Sequence, residues 1–129
     1  MLNERIYHVW FGTKRRTPLL QGDVEDDVRR LLQENALRAG VRVLEAETAT
    51  DHVHLIVAVP EEKPLASAMQ QIKGGSSYAL SLKYPELRTD TRHAAIWQKG
   101  YSFRRLEPDN LSVARGYVRS QQQRPFKHE

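Results

Sequence analysis

The sequence reads as β-α-β-β-α-β-α. That order predicts an α+β protein with a ferredoxin-like (RRM-like) βαββαβ antiparallel sheet and an added C-terminal helix. Three observations carry the prediction. Strand-type runs rich in aromatic and β-branched residues occur at 5–12, 41–48, 52–59 and 95–105. Two amphipathic helical patterns, at 24–39 and 64–83, separate them in the order that split βαβ folds use. A third helical pattern follows the last strand. In such a fold two helices cover one sheet face and leave the other open.

The elements follow from local chemistry. RIYHVWFG (5–12) is the first strand, and Lys14-Arg15-Arg16-Thr17-Pro18 is a basic loop. Val24, Val28, Leu31, Leu32, Ala36 and Ala39 recur at helical spacing, and Gly40 is a stop signal. VRVLEAET (41–48) turns through Ala49-Thr50-Asp51 into a strand from His52 to Val59, closed by Pro60. Leu65, Ala68, Met69, Ile72, Ala79 and Leu80 mark one face of the second helix. Trp97, Tyr101 and Phe103 alternate on the last strand. Pro108-Asp109-Asn110 starts a final helix that Pro125 ends.

The chain has 129 residues, 40% hydrophobic and 28% charged, so it is read as a single domain over residues 1–129. Disordered, collagen-like and membrane-spanning classes do not fit this mix. No apolar run approaches a membrane helix and the N-terminus lacks a signal-peptide core, so a cytoplasmic protein without membrane partners is expected. With no cysteine, thiolate metal sites and cysteine nucleophiles are excluded. The net charge of +4 is unevenly spread. Residues 1–20 carry +3, 21–50 carry −3, 51–94 balance, and 95–129 carry +4. Basic ends flanking an acidic segment suit a polyanion-binding face.

The informative segment is Asp51-His52-Val53-His54-Leu55-Ile56-Val57-Ala58-Val59. Strand alternation puts Val53, Leu55, Val57 and Val59 on the helix-covered face and His52 with His54 on the other, their Cβ atoms roughly 6–7 Å apart. Two imidazoles so placed can converge on one divalent metal; the plain alternative is a pair of solvent-facing histidines. Other His-x-His proteins do not fit: a (β/α)8 barrel needs a longer chain, and cupins are all-β. On the last helix Tyr117 and Gln121 are four apart and share a face, which Leu111 and Ala114 extend, so Tyr117 is alternatively a packing residue.

Together these residues closely resemble the single-tyrosine transposases of the smallest bacterial insertion sequences, members of the HUH (His-hydrophobic-His) endonucleases. The resemblance spans nearly the whole chain: Tyr7-His8-Val9-Trp10 with Lys14, Asp51-His52-Val53-His54-Leu55, Lys73-Gly74-Gly75-Ser76-Ser77, Trp97-Gln98-Lys99-Gly100-Tyr101, and Tyr117-x3-Gln121. It implies a divalent metal, Mg²⁺ or Mn²⁺, held by His52, His54 and Gln121. Two imidazoles and an amide suit Mn²⁺ better than Mg²⁺. It implies that Tyr117 attacks a phosphate of single-stranded DNA, forming a 5′-phosphotyrosine and freeing a 3′-hydroxyl, so that the strand can be rejoined without ATP. It further implies recognition of a subterminal DNA hairpin and a homodimer in which the tyrosine helix of one subunit can complete the other's site.

A two- or four-residue turn near 49–51 would put Glu45 and Glu47 on the histidine face, as candidate rival or supporting ligands or as ordinary solvated strand residues. Lys14, Arg15, Arg16, Lys99, Arg104 and Arg105 are phosphate-contact candidates, because a first strand lying between the third and last brings both basic segments beside the histidines. Trp10, Trp97 and Tyr101 are stacking or core residues. Gly74-Gly75 interrupts a helical pattern. It marks either a break between two helices or a close approach of DNA beside Lys73, Ser76 and Ser77. Two other functions fit the fold: a non-catalytic single-strand nucleic-acid module, and a metal-dependent phosphodiesterase using water.

Overall fold

A computed structural model describes residues 3–87 and 96–120. Its elements are β1 (Glu4–Gly12), α1 (Gly22–Arg38), β2 (Arg42–Thr48), β3 (His52–Pro60), α2 (Leu65–Lys83), β4 (Ser102–Leu106) and α3 (Leu111–Ser120). The four strands form one antiparallel sheet in the order β2-β3-β1-β4. This is the α+β, ferredoxin-like arrangement expected, with β1 between β3 and β4. No described helix is long and apolar enough to cross a membrane.

Alternation along the two central strands builds the main core. Tyr7, Val9 and Phe11 of β1 and Val53, Leu55, Val57 and Val59 of β3 point to the side on which Val28, Leu32 and Ala36 of α1 and Met69, Ile72 and Leu80 of α2 are buried. Each such residue removes apolar surface from water, worth about 1.5–3 kcal/mol for a fully buried aliphatic or aromatic side chain.

α2 runs unbroken through Gly74-Gly75. A Cβ on Gly75 would stand 1.9 Å from Oδ1 of Asn35, so this glycine lets α1 and α2 approach closely. Helix–helix contact, rather than a helix break or DNA, explains that glycine. Two other expectations change. The last strand is shorter than 95–105: only Ser102–Leu106 pairs with β1, and Trp97 makes an isolated bridge to Thr13. Trp97 is buried against Phe11, with ring centroids 4.9 Å apart, and its indole N–H donates to Ser76 Oγ. It is therefore a core residue.

The second sheet face is not fully open. Ala114 and Val118 of α3 bury against Ile56 and Leu106, joined by Ile6, Leu44 and Leu111. Residues 111, 114 and 118 lie three and four apart, an apolar stripe that must find a partner surface. Side chains from all four strands supply it: Leu44, Ile56, Ile6 and Leu106. The expected continuation of this helix toward Pro125 lies outside the described residues.

Candidate active site

The β1–β3 register pairs Trp10 with His54 and Gly12 with His52. His8 and Trp10 therefore share the face of His52 and His54. None of the three histidines is solvent-facing: His8 is 3% exposed, His52 1% and His54 5%. Burial favours the neutral imidazole, which is the metal-binding form. It lowers His8 to about 4, assisted by Arg104, and His54 to about 3, assisted by its histidine neighbours. Burial also lowers His52, against the pull of Asp51.

Both rings of the His-x-His pair are held through Nδ1. His52 Nδ1 is 2.8 Å from Asp51 Oδ1, and Arg16 reaches the other Asp51 oxygen at 3.2 Å. Burial would raise the Asp51 carboxyl, but its bonds to His52 and Arg16 outweigh that and hold it below its ordinary value. Gly12 makes room for this arrangement, since a Cβ there would lie 2.8 Å from Arg16 Cδ. The loop is strained: Arg15 and Arg16 have φ of 59° and 55°, a region costly for side-chain-bearing residues. His54 Nδ1 lies 2.9 Å from His8 Nε2. The His52 and His54 ring centroids are 5.2 Å apart.

Tyr117 comes to this cluster within the same chain. Its ring meets the His8 ring edge-on at 6.0 Å between centroids. It is 45% exposed and stands beside the buried stripe rather than in it. Glu45 anchors α3 here, 3.2 Å from Arg115 and 3.0 Å from Arg119. A hydrogen bond from Arg119, offset in part by burial and aided by Arg115, keeps Glu45 ionised below its ordinary value. Trp10 completes the wall, half-buried, with its ring nearly parallel to His54 at 6.3 Å and 4.7 Å from His8.

The other expected residues are dispersed. Glu47 lies opposite His54 in register, but its carboxylate pairs with Arg29 at 3.4 Å. The carboxylate that bonds an imidazole is Asp51, not Glu45 or Glu47. Arg16 serves Asp51. Arg104 is exposed on the histidine face opposite His8, whereas Arg105 lies opposite Tyr7 on the helix side. Lys14, Lys73 and Lys99 line a cavity of about 770 Å³ with Tyr78 and Tyr101, between α2 and the 96–101 segment. Lys73 Nζ donates to the Gln98 and Gly100 carbonyls, and burial lowers its pKa. Ser76 is buried and bonds Ile72 O and the Trp97 indole, while Ser77 Oγ accepts from Ile96 N–H. Lys73, Ser76 and Ser77 thus fasten the 96–100 segment to α2. Gln121 lies outside the described residues.

His8 and Asp51 are the site residues that sequence reasoning did not assign. Alternation already put His8 and Trp10 on one face of the first strand, but only the pairing register brings that face to His54. The donor set fits a divalent cation: two neutral, anchored imidazoles supply two ligands. No group of three or more His, Asp or Glu suited to a metal occurs among the described residues.

The site is thus a buried histidine cluster with an exposed phenol beside it, on an RRM-like sheet. The family of IS200-like transposases matches residues 2–121, and the chain belongs to that family. It is 25% identical over 115 residues to the ISDra2 transposase TnpA of Deinococcus radiodurans, covering 89% of this chain and 82% of that protein. It is 32% identical over 95 residues to the transposase for insertion sequence element IS200 of Salmonella typhimurium, covering 74% of this chain and 62% of the relative. The fold is similar to a crystal structure of a candidate transposase from Deinococcus radiodurans R1, with TM-score 0.76 and 21% identity over 94% of this chain and 93% of that one. It is also similar to a REP-associated tyrosine transposase bound to a REP hairpin, with TM-score 0.68 and 17% identity over 91% and 66%.

Proposed function

We propose that residues 1–129 act as one HUH transposase domain that cuts and rejoins single-stranded DNA through a 5′-phosphotyrosine on Tyr117. The observation that carries this is the approach of the Tyr117 ring to His8, itself 2.9 Å from His54. His52 and His54, with Gln121, would hold Mg²⁺ or Mn²⁺. When bound, that ion supplies Lewis-acid stabilisation of charge on the scissile phosphate.

The chain's own residues account for the remaining steps. Tyr117 loses its phenolic proton to water and its oxygen attacks phosphorus. The phosphorus–O3′ bond breaks, and O3′ leaves with the electron pair and takes up a proton. A later 3′-hydroxyl reverses the step and regenerates the phenol. Exposure of Tyr117 leaves room for the strand. Arg104, opposite His8, offers a cation to phosphate, and Trp10 a face for a neighbouring base. The lysine- and tyrosine-lined cavity is the proposed hairpin contact, with Lys14, Arg15 and Lys99. That a family-fold neighbour is bound to a REP hairpin supports this choice of partner. A homodimer, with or without exchanged α3 helices, is part of the proposal; here α3 docks on its own sheet.

The test is incubation with Mn²⁺ and a labelled, hairpin-bearing single strand. A denaturant-resistant protein–DNA adduct, absent in Tyr117→Phe, is expected. Cleavage that persists in Tyr117→Phe would point to water as nucleophile, and binding without cleavage to a non-catalytic module.

A further inference from the structure

We infer that His8 is a positioning residue for metal binding: its Nε2, 2.9 Å from His54 Nδ1, accepts the His54 Nδ1–H and so commits the lone pair of His54 to Nε2. The inference rests on the proposed metal role of His54 and adds a residue to it.

Ring chemistry leaves two ways to satisfy a contact between two neutral imidazoles. If His8 donates, His54 Nδ1 accepts and the His54 proton sits on Nε2, which then cannot bind a cation. If His54 donates, its Nε2 is the basic nitrogen and His8 carries its own proton on Nδ1. Only the second arrangement makes His54 a ligand. Asp51 imposes the same choice on His52 through its bond at Nδ1, since a carboxylate can only accept there. The two rings of the pair thus share one tautomer, set by two chemically different partners. The ring geometry suits an in-plane N–H···N bond: the His8 and His54 centroids lie 5.1 Å apart with planes inclined by 29°, and Trp10 flanks both. Both rings are buried, so water does not compete for the contact.

The position also explains why the imidazole is on β1. β1 is the central neighbour of β3, and the register sets His8 opposite Ile56, two pairs from the Trp10–His54 pair and on the same face. The ring therefore reaches His54 diagonally across the sheet, the usual range for long or aromatic cross-strand neighbours. An acidic residue there could do the same hydrogen bonding, but at the cost of burying a charge.

The test uses the full chain, first free of metal. Long-range ¹H–¹⁵N spectra should show His54 protonated at Nδ1 in the wild type, and retained so in His8→Gln, whose amide oxygen can stand where Nε2 stood. In folded His8→Leu the Nδ1–H form should be lost or mixed. Mn²⁺ titration followed by the EPR signal of the free ion should then show affinity about 10–100-fold weaker in His8→Leu, with most of it recovered in His8→Gln. An Nε2–H tautomer of His54 in the wild type would overturn the assignment without any variant. So would Mn²⁺ affinity in folded His8→Leu equal to the wild type while His54→Ala abolishes binding. If the tautomer is as expected but neither the wild type nor any variant binds Mn²⁺, the metal reading falls and the hydrogen bond stands as a structural one only, which also overturns the inference.

Discussion

Mild acid should destabilise this protein through its histidines. In an unfolded chain an imidazole has its ordinary value of 6.5, whereas in the fold His8 is pushed down to about 4 and His54 to about 3. The folded pKa lies below the unfolded one, so between those values the unfolded state binds more protons and stability rises with pH. The stabilisation is present above the unfolded value and is lost as pH falls from about 6.5 toward the folded values. At pH 5 the gap is about 1.5 pH units, or about 2 kcal/mol per imidazole. The pair together contributes about 4 kcal/mol as an upper figure, because the two rings share one contact. His52, lowered by burial, acts in the same direction. Against a typical total of about 5–15 kcal/mol, this is a large fraction. Glu4, Asp27, Glu45 and Asp51 also have lowered values, but their stabilisation is lost only near and below about 4–4.5. The interval from pH 6.5 to 5 therefore belongs to the imidazoles. Urea unfolding in EDTA at several pH values from 8 to 5, followed by tryptophan fluorescence, measures it. The midpoint should fall steeply across that interval, with a shallower fall in His8→Leu. An unfolding free energy constant to within about 0.5 kcal/mol from pH 7.5 to 5 would refute the reasoning.

Two further predictions concern the scaffold. Gly75→Ala should destabilise by about 1–3 kcal/mol, because its methyl would meet Asn35 Oδ1 at 1.9 Å, while Gly74→Ala, with open space around it, should be neutral or stabilise by up to about 1 kcal/mol; thermal melts of both variants check this. Glu45→Gln removes two ion pairs to α3 whose arginines are substantially exposed, so it should cost only about 0.5–1 kcal/mol of stability. It should nevertheless slow adduct formation by Tyr117, and the difference from wild type should shrink at high salt, as measured by single-turnover gel assays.

Some of this protein was written in local pattern. The period-two run around His52 and His54 and the helical spacing of residues 24–39 and 64–83 depend only on neighbours along the chain. Strand and helix identity, and the face of the histidine pair, were therefore readable. So was the family, because its motifs are runs of adjacent residues. What needed tertiary structure were relations between segments far apart. His8 joins His54 only because β1 pairs with β3 in one register, and a slip of one residue would send it to the opposite face. Asp51 bonds His52 and draws in Arg16 only because Gly12 leaves space for that side chain. Ser76, expected at a DNA contact, is turned inward by its place on α2. The apolar stripe of α3 declared that the helix must bury a side, but not where. Docking on the histidine face of the sheet, with Glu45 holding Arg115 and Arg119, is what sets Tyr117 beside the histidines. Alternation and helical period are properties of one segment's backbone geometry. Register, close approach and docking are decided by the free energy of the whole assembled core.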